Sequence, residues 1–181
     1  MIDMIKAKIA FANYVAHYDA HVPSIKLKIV HTYEVIKCSD YLCDYLGLNE
    51  EDKQLAGLIA LLHDIGRFEQ WKQYQSFADH KTVDHALFSS EFVEDRQYDI
   101  IIKYAIEQHN KYHIDDGFDD RTLLFIHLIR DADKLDNFRV KETEKIEDIL
   151  FATTEDVNAS LISPLVYEQM AHQELVYAPN R

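Results

Sequence analysis

Turn-making residues are scarce in this chain: four glycines and three prolines serve 181 residues. A strand-rich fold needs many tight turns, so the scarcity favours long helices. Cysteine is nearly absent, and the two present, Cys38 and Cys43, build no disulfide framework. They read as reduced, packed thiols of a cytosolic protein. Basic residues are outnumbered, 19 against 32 acidic, for a net charge of −13. Such a field repels phosphate backbones and argues against nucleic-acid polymers and anionic membranes as partners. No apolar run is long: the longest, Leu55 to Leu62, falls far short of the ~18 residues that a bilayer span needs. The opening MIDMIKAKIAFANYV mixes charge with apolar residues, unlike the unbroken core of a signal peptide. The expected location is therefore the cytoplasm.

What is present suits one soluble domain over 1–181, with a motif region at 25–140 and a C-terminal helical extension at 141–181. The abrupt ending at Ala178-Pro-Asn-Arg fits a natural chain that continues. Apolar residues recur at helical spacing nearly throughout. Helices are expected at 4–19, from a Ser24 cap to Gly47, and from an Asn49 cap to Asp64, where Gly66 stops the helix. Residues 67–80 read as an aromatic-rich connection. Further helices are expected at 82–94, 97–109, 120–136, 142–150 and from Ser163-Pro164 to about 173. The fold class is all-α, a single bundle with orthogonal crossings.

Ten histidines are many for this length, and their placement is informative. His31, His63, His85 and His109 each occupy the apolar face or the end of a different expected helix. Asp133 stands four residues after Ile129 and seven after Ile126, and Asp64 is set inside LLHDIG. A carboxylate on an apolar stripe costs several kcal/mol unless charge or hydrogen bonds compensate it. One such histidine is ordinarily a hydrogen-bonded core residue. Four, with two inward carboxylates, are resolved together by a divalent metal, because neutral imidazoles and carboxylates are its natural ligands.

The segments around these residues carry a resemblance. His31 in HTYEV, His63-Asp64 in LLHDIGRFE and Asp133 in RDADKLDN resemble the H…HD…D signature of the HD-domain superfamily of metal-dependent phosphohydrolases. HALFSSEFV around His85 and AIEQHNKY around His109 resemble the extra histidines of its binuclear members. The nearest likeness is to small bacterial members carrying HDIGRFEQ and RDADKLD. The resemblance implies the helical bundle of that superfamily and a first metal bound by His31, His63, Asp64 and Asp133. Asp64 would bridge to a second metal held by His85 and His109. Asp133 is preferred to Asp131 because it stands in the A-D-x-L setting. His80 and Asp84 compete with His85 for the third position.

The chemistry expected is hydrolysis of a phosphate ester, of a nucleotide or another small phosphorylated metabolite, by metal-activated water. Histidine-rich ligation favours Mn, Fe, Co, Ni or Zn over Mg, as one or two ions. Arg67, three residues after Asp64, and Lys134, beside Asp133, are placed to meet a phosphate; the alternative for each is a surface salt bridge. Phe68, Trp71, Tyr74 and Phe77 are read either as a lid that stacks a base or as packing. His17, His21, His113, His127 and His172 have no assigned chemistry. The acidic run 115–120 is a solvated loop with a helix cap. A homodimer is compatible with these features. A di-iron oxygenase on the same fold and a non-catalytic metal- or nucleotide-binding module are the alternative readings.

Overall fold

The computed structural model describes residues 2–91, 99–145, 147, 149 and 153–172. Among these the only regular structure is helical. Two compact units are distinguished, Met1–Thr143 and Glu144–Arg181. No helix among the described residues is long and apolar enough to cross a membrane.

In the first unit, α1 (Met4–Val15) begins at Asp3, whose carboxylate accepts from Lys6 N. The long α2 (Pro23–Tyr45) follows. Its cap is Val22, with Pro23 in the first turn, and not Ser24, which lies buried inside that turn. Proline suits this place because its missing N–H would have had no intrahelical partner. At the far end Gly47 takes φ +66°, a left-handed conformation that a side chain would strain. Asn49 caps α3 (Glu50–Leu62) by accepting from Asp52 N at 3.0 Å.

Gly66 does not end a helical stretch; it begins α4 (Gly66–Tyr74), where the sequence reads as a connection. The glycine is needed for close approach, since a Cβ there would stand 2.8 Å from Ser89 N. Ser89 belongs to α5 (His85–Ser90), capped by Asp84, and its Oγ accepts from Gly66 N at 2.9 Å. A short 3-10 turn, Asp79–Lys81, lies between α4 and α5. The expected helix at 82–94 ends outside the described residues.

Next come α6 (Asp99–Gln108) and α7 (Asp120–Thr143). Asp119, in the acidic run, accepts from the backbone and hydroxyl of Thr122, as a helix cap should. The helix continues past 136 because nothing in FRVKET interrupts it, and Val140 is still buried. Helix α2 packs against α3 and α7, while α6 packs against α5 and α7. Val35, Ile59, Ala60, Ile106, Phe125 and Ile126 lie at the centre of this core. Polar side chains that share it must be satisfied there.

The second unit holds α8 (Thr154–Ala159), with a reciprocal cap between Thr153 and Asp156. It also holds α9 (Pro164–Ala171), which starts at Ser163 as the sequence suggests. The expected helix at 142–150 lies partly outside the described residues.

Candidate metal centre

Five helices of the first unit deliver polar side chains to one buried point. His31 comes from the middle of α2, His63 from the C-terminal cap of α3, and Asp64 directly after it. His85 is the first residue of α5, His109 follows the last residue of α6, and Asp133 lies midway along α7. His63 is wholly buried and Asp64 is 3% exposed, while the Asp133 side chain is 21% exposed. The imidazoles form a contiguous row, with centroids 5.4 Å apart for His31–His63, 5.2 Å for His63–His109 and 4.9 Å for His85–His109.

Every imidazole has its Nδ1 occupied. His31 Nδ1 meets Asp136 Oδ2 at 2.6 Å and His85 Nδ1 meets Asp79 Oδ2 at 2.5 Å. His63 Nδ1 donates to Ala60 O at 2.8 Å, and His109 Nδ1 to Ile106 O at 2.6 Å. In its neutral form each imidazole carries one ring proton, so these bonds would leave a lone pair on its Nε2, the form in which it can bind a metal. The four Nε2 atoms converge on Asp64. Its Oδ2 lies 3.7 Å from His31 and 3.6 Å from His63; its Oδ1 lies 3.5 Å from His85 and 3.9 Å from His109. Asp133 Oδ1 is 3.0 Å from His31 Nε2 and 3.8 Å from His63 Nε2.

Buried lone pairs aimed at each other are unfavourable without a cation between them. His85 and His109 bring their Nε2 atoms to 3.1 Å, and the Nε2 atoms of His31 and His63 make no hydrogen bond. Two overlapping groups have the spacing of ligand sets: His31, His63 and Asp133, and His63, Asp64 and His109, each within 4.8 Å. Ligands at about 2.0–2.2 Å from one ion stand roughly 3–3.5 Å apart, so modest adjustment suffices. Asp79, Asp84 and His85 form a third such group. There the carboxylates are already committed, Asp84 to capping α5 and to Asn110, Asp79 to His85 and Arg67.

The electrostatics favour the ligand forms. Burial alone would raise the Asp64 carboxyl, but Lys28, His63, Arg67 and His85 hold it well below the usual range. Burial would raise Asp133 too, but the close approach of His31, with His63 and His109 nearby, leaves it lowered. Burial is the first cause at the histidines: it brings His85 and His109 down to about 4 and lowers His63. His31 differs. Burial and Lys28 pull it down, yet Asp133, Asp136 and Asp64 leave it raised.

Of the two cations expected near the centre, Arg67 is there. Its Nη1 donates to Gln70 Oε1, Phe77 O and Asp79 Oδ1. Its buried Nε lies 3.5 Å from Asp64 Oδ1 and makes no hydrogen bond. Lys134 is exposed on α7, and no described ion pair joins it to the centre. The ammonium that reaches Asp64 belongs to Lys28, at 2.6 Å from Oδ2. Lys28 stands three residues before His31 and so shares its helix face. Phe77 lies beside both cations, 5.7 Å from Lys28 Nζ and 5.5 Å from Arg67 Cζ. The other aromatic residues of that stretch part company: Phe68 is core, against Phe11, Tyr14 and Tyr18, and Tyr74 is exposed. Asp131 and His80 are exposed.

Besides Lys28, three groups escape the sequence reading. Asp136 supports His31, Asp79 supports His85, and Gln70, fully buried, ties Asp79 in place. For Asp136 a signal exists, since it falls three residues after Asp133 on the same helix face.

Compared with known proteins, the chain matches the HD domain family over residues 29–138. Neither the curated proteins nor the solved structures give a significant match.

Proposed function

The chain belongs to the HD domain family, a superfamily of metal-dependent phosphohydrolases, and from this premise we propose that it hydrolyses the phosphate ester of a small metabolite, a nucleotide being the class first expected. The observation that carries the proposal is the set of four imidazole Nε2 atoms that converge on the Asp64 carboxylate. His31, His63, Asp64 and Asp133 would hold one divalent transition metal, and His85 and His109 would hold a second against Asp64. When bound, such ions polarise a phosphoryl oxygen and lower the pKa of water.

The protein's own groups do the rest. Asp64 and Asp133 stay ionised across the neutral range, because both are held below the ordinary carboxyl pKa. Asp133, the most exposed of the candidate ligands on α7, marks the side from which water and substrate enter. Arg67, whose Nε faces Asp64 without a hydrogen bond, and Lys28 orient the phosphate oxygens. Burial of the centre strengthens each of these interactions. Cysteine chemistry is disfavoured, since burial raises both the Cys38 and Cys43 thiols.

The test is phosphate release from a panel of phosphorylated metabolites by metal-stripped protein reloaded with manganese, cobalt or zinc. Activity that chelator abolishes and metal restores is the expected result. No release with any ion, together with oxygen consumption by reduced, iron-loaded protein, would overturn the proposal in favour of oxidative chemistry.

A further inference from the structure

The two carboxylates that support the histidines differ in what holds them. Asp136 lies on α7, one turn from Asp133, and Arg139 of the same helix grips both its oxygens, through Nε at 2.5 Å and Nη2 at 3.0 Å. Asp79 lies in the segment between α4 and α5, within the short 3-10 turn. Its Oδ2 takes His85 Nδ1, and its Oδ1 is held from α4 by Arg67 Nη1 at 2.7 Å and by Gln70 Nε2 at 3.1 Å.

Gln70 has no exposed surface, and its one amide spans the segment. Nε2 also reaches Thr82 Oγ1 at 2.7 Å and Val83 O at 3.1 Å, while Oε1 accepts from Arg67 Nη1 at 2.8 Å. Arg67 adds a bond to Phe77 O at 2.9 Å. Two side chains of α4 therefore fasten residues 77–83, and that fastened segment sets the His85 ring. A buried amide that meets so many partners is costly to leave unmet, so its bonds are made or lost together.

Building on the proposed metal chemistry, we infer that Gln70 is a positioning residue for His85, acting through Asp79, and that residues 75–84 form a clasp on which the second metal depends and the first does not. His31, His63 and Asp133 owe nothing to this segment: their supports are Asp136 on α7 and the backbone of α3. The second position, by contrast, exists only while the clasp is closed. Metal at that position should in turn hold the clasp shut, because linkage between two equilibria is reciprocal.

The experiment uses the full chain, stripped and titrated with cobalt. Bound metal is counted by elemental analysis, the visible spectrum is recorded, and hydrogen exchange is followed over 75–84. Wild-type protein should take two ions, the second slowing exchange in the segment. Gln70→Met keeps the side chain's length and removes its donors; it should weaken the second ion about 10–100-fold. The first ion's affinity and spectrum should stay unchanged, and exchange in 75–84 should become fast and insensitive to metal. Asp79→Asn should give the same selective loss, and it decides the matter if Gln70→Met does not fold. Two ions bound with wild-type affinity in the variants would overturn the inference, as would loss of both ions together, while leaving the phosphohydrolase proposal standing. Wild-type protein that binds no cobalt would instead remove that proposal.

Discussion

The two halves of the candidate metal centre use the same chemistry on different foundations. Around His31 and His63 every support is helical: Asp136 and Arg139 on α7, and the Ala60 carbonyl on α3. Around His85 and His109 one support is helical, the Ile106 carbonyl, and the other sits in the segment between α4 and α5. The charge state differs as well. His31, flanked by three carboxylates, has its pKa raised, whereas burial lowers His85 and His109 to about 4. Identical ligand atoms can therefore be tuned separately by what stands behind them.

The largest expected effect strikes the group both halves share. Asp64→Asn should lower turnover at least ~10²-fold, the scale of a single electrostatic group in a dry site, and should weaken both ions; near-normal phosphate release would show that Asp64 is no ligand. Next is Asp136→Asn, which should weaken the first ion about 10–100-fold and leave exchange in 75–84 untouched. If that segment loosened too, the halves would not be independent.

The pH dependence of the metal-stripped protein sharpens the contrast through its sign. A histidine whose folded pKa is lowered stabilises the fold above the unfolded value of about 6.5, and this stability is lost as pH falls toward the folded value. His63, His85 and His109 act this way. His31, raised, contributes below about 6.5 and loses its contribution as pH rises through its folded pKa. Three against one should bring Tm down by several degrees between pH 6.5 and 4. His109→Gln should flatten that decline, and a decline left unchanged would contradict the assignment.

The smallest effect concerns the platform under the second half. Gly66→Ala forces a Cβ against the α5 backbone at 2.8 Å, with an expected cost of about 1–3 kcal/mol, read by denaturant melts.

The helical class and the six converging side chains were legible because each is an anomaly against a simple background. A histidine or aspartate on an apolar stripe stands out when the stripe repeats every 3.6 residues. The supports did not stand out. Asp136 follows Asp133 in RDADKLDN as one more acid in an acidic chain. Asp79 lies where no periodicity exists to violate. Lys28, three residues before His31, breaks no pattern in the sequence, yet its stem lets the ammonium reach the buried Asp64 carboxylate. The sequence hides helix α4 because Gly66 reads as a stop. A glycine required by a neighbouring backbone and a glycine that ends a helix look the same in one sequence.

The bond between His31 and Asp136 joins positions 105 residues apart, and that separation has a consequence for the order of folding. Contacts so distant close only after much chain entropy has been surrendered. The centre therefore cannot form locally and then wait. A growing chain that has not yet delivered residue 133 has its histidines but neither the carboxylate of Asp133 nor the Asp136 brace behind His31. A metal held by His31, His63, Asp64 and Asp133 would then report that the bundle from α2 to α7 has closed, as a late fastener of the fold and not its seed.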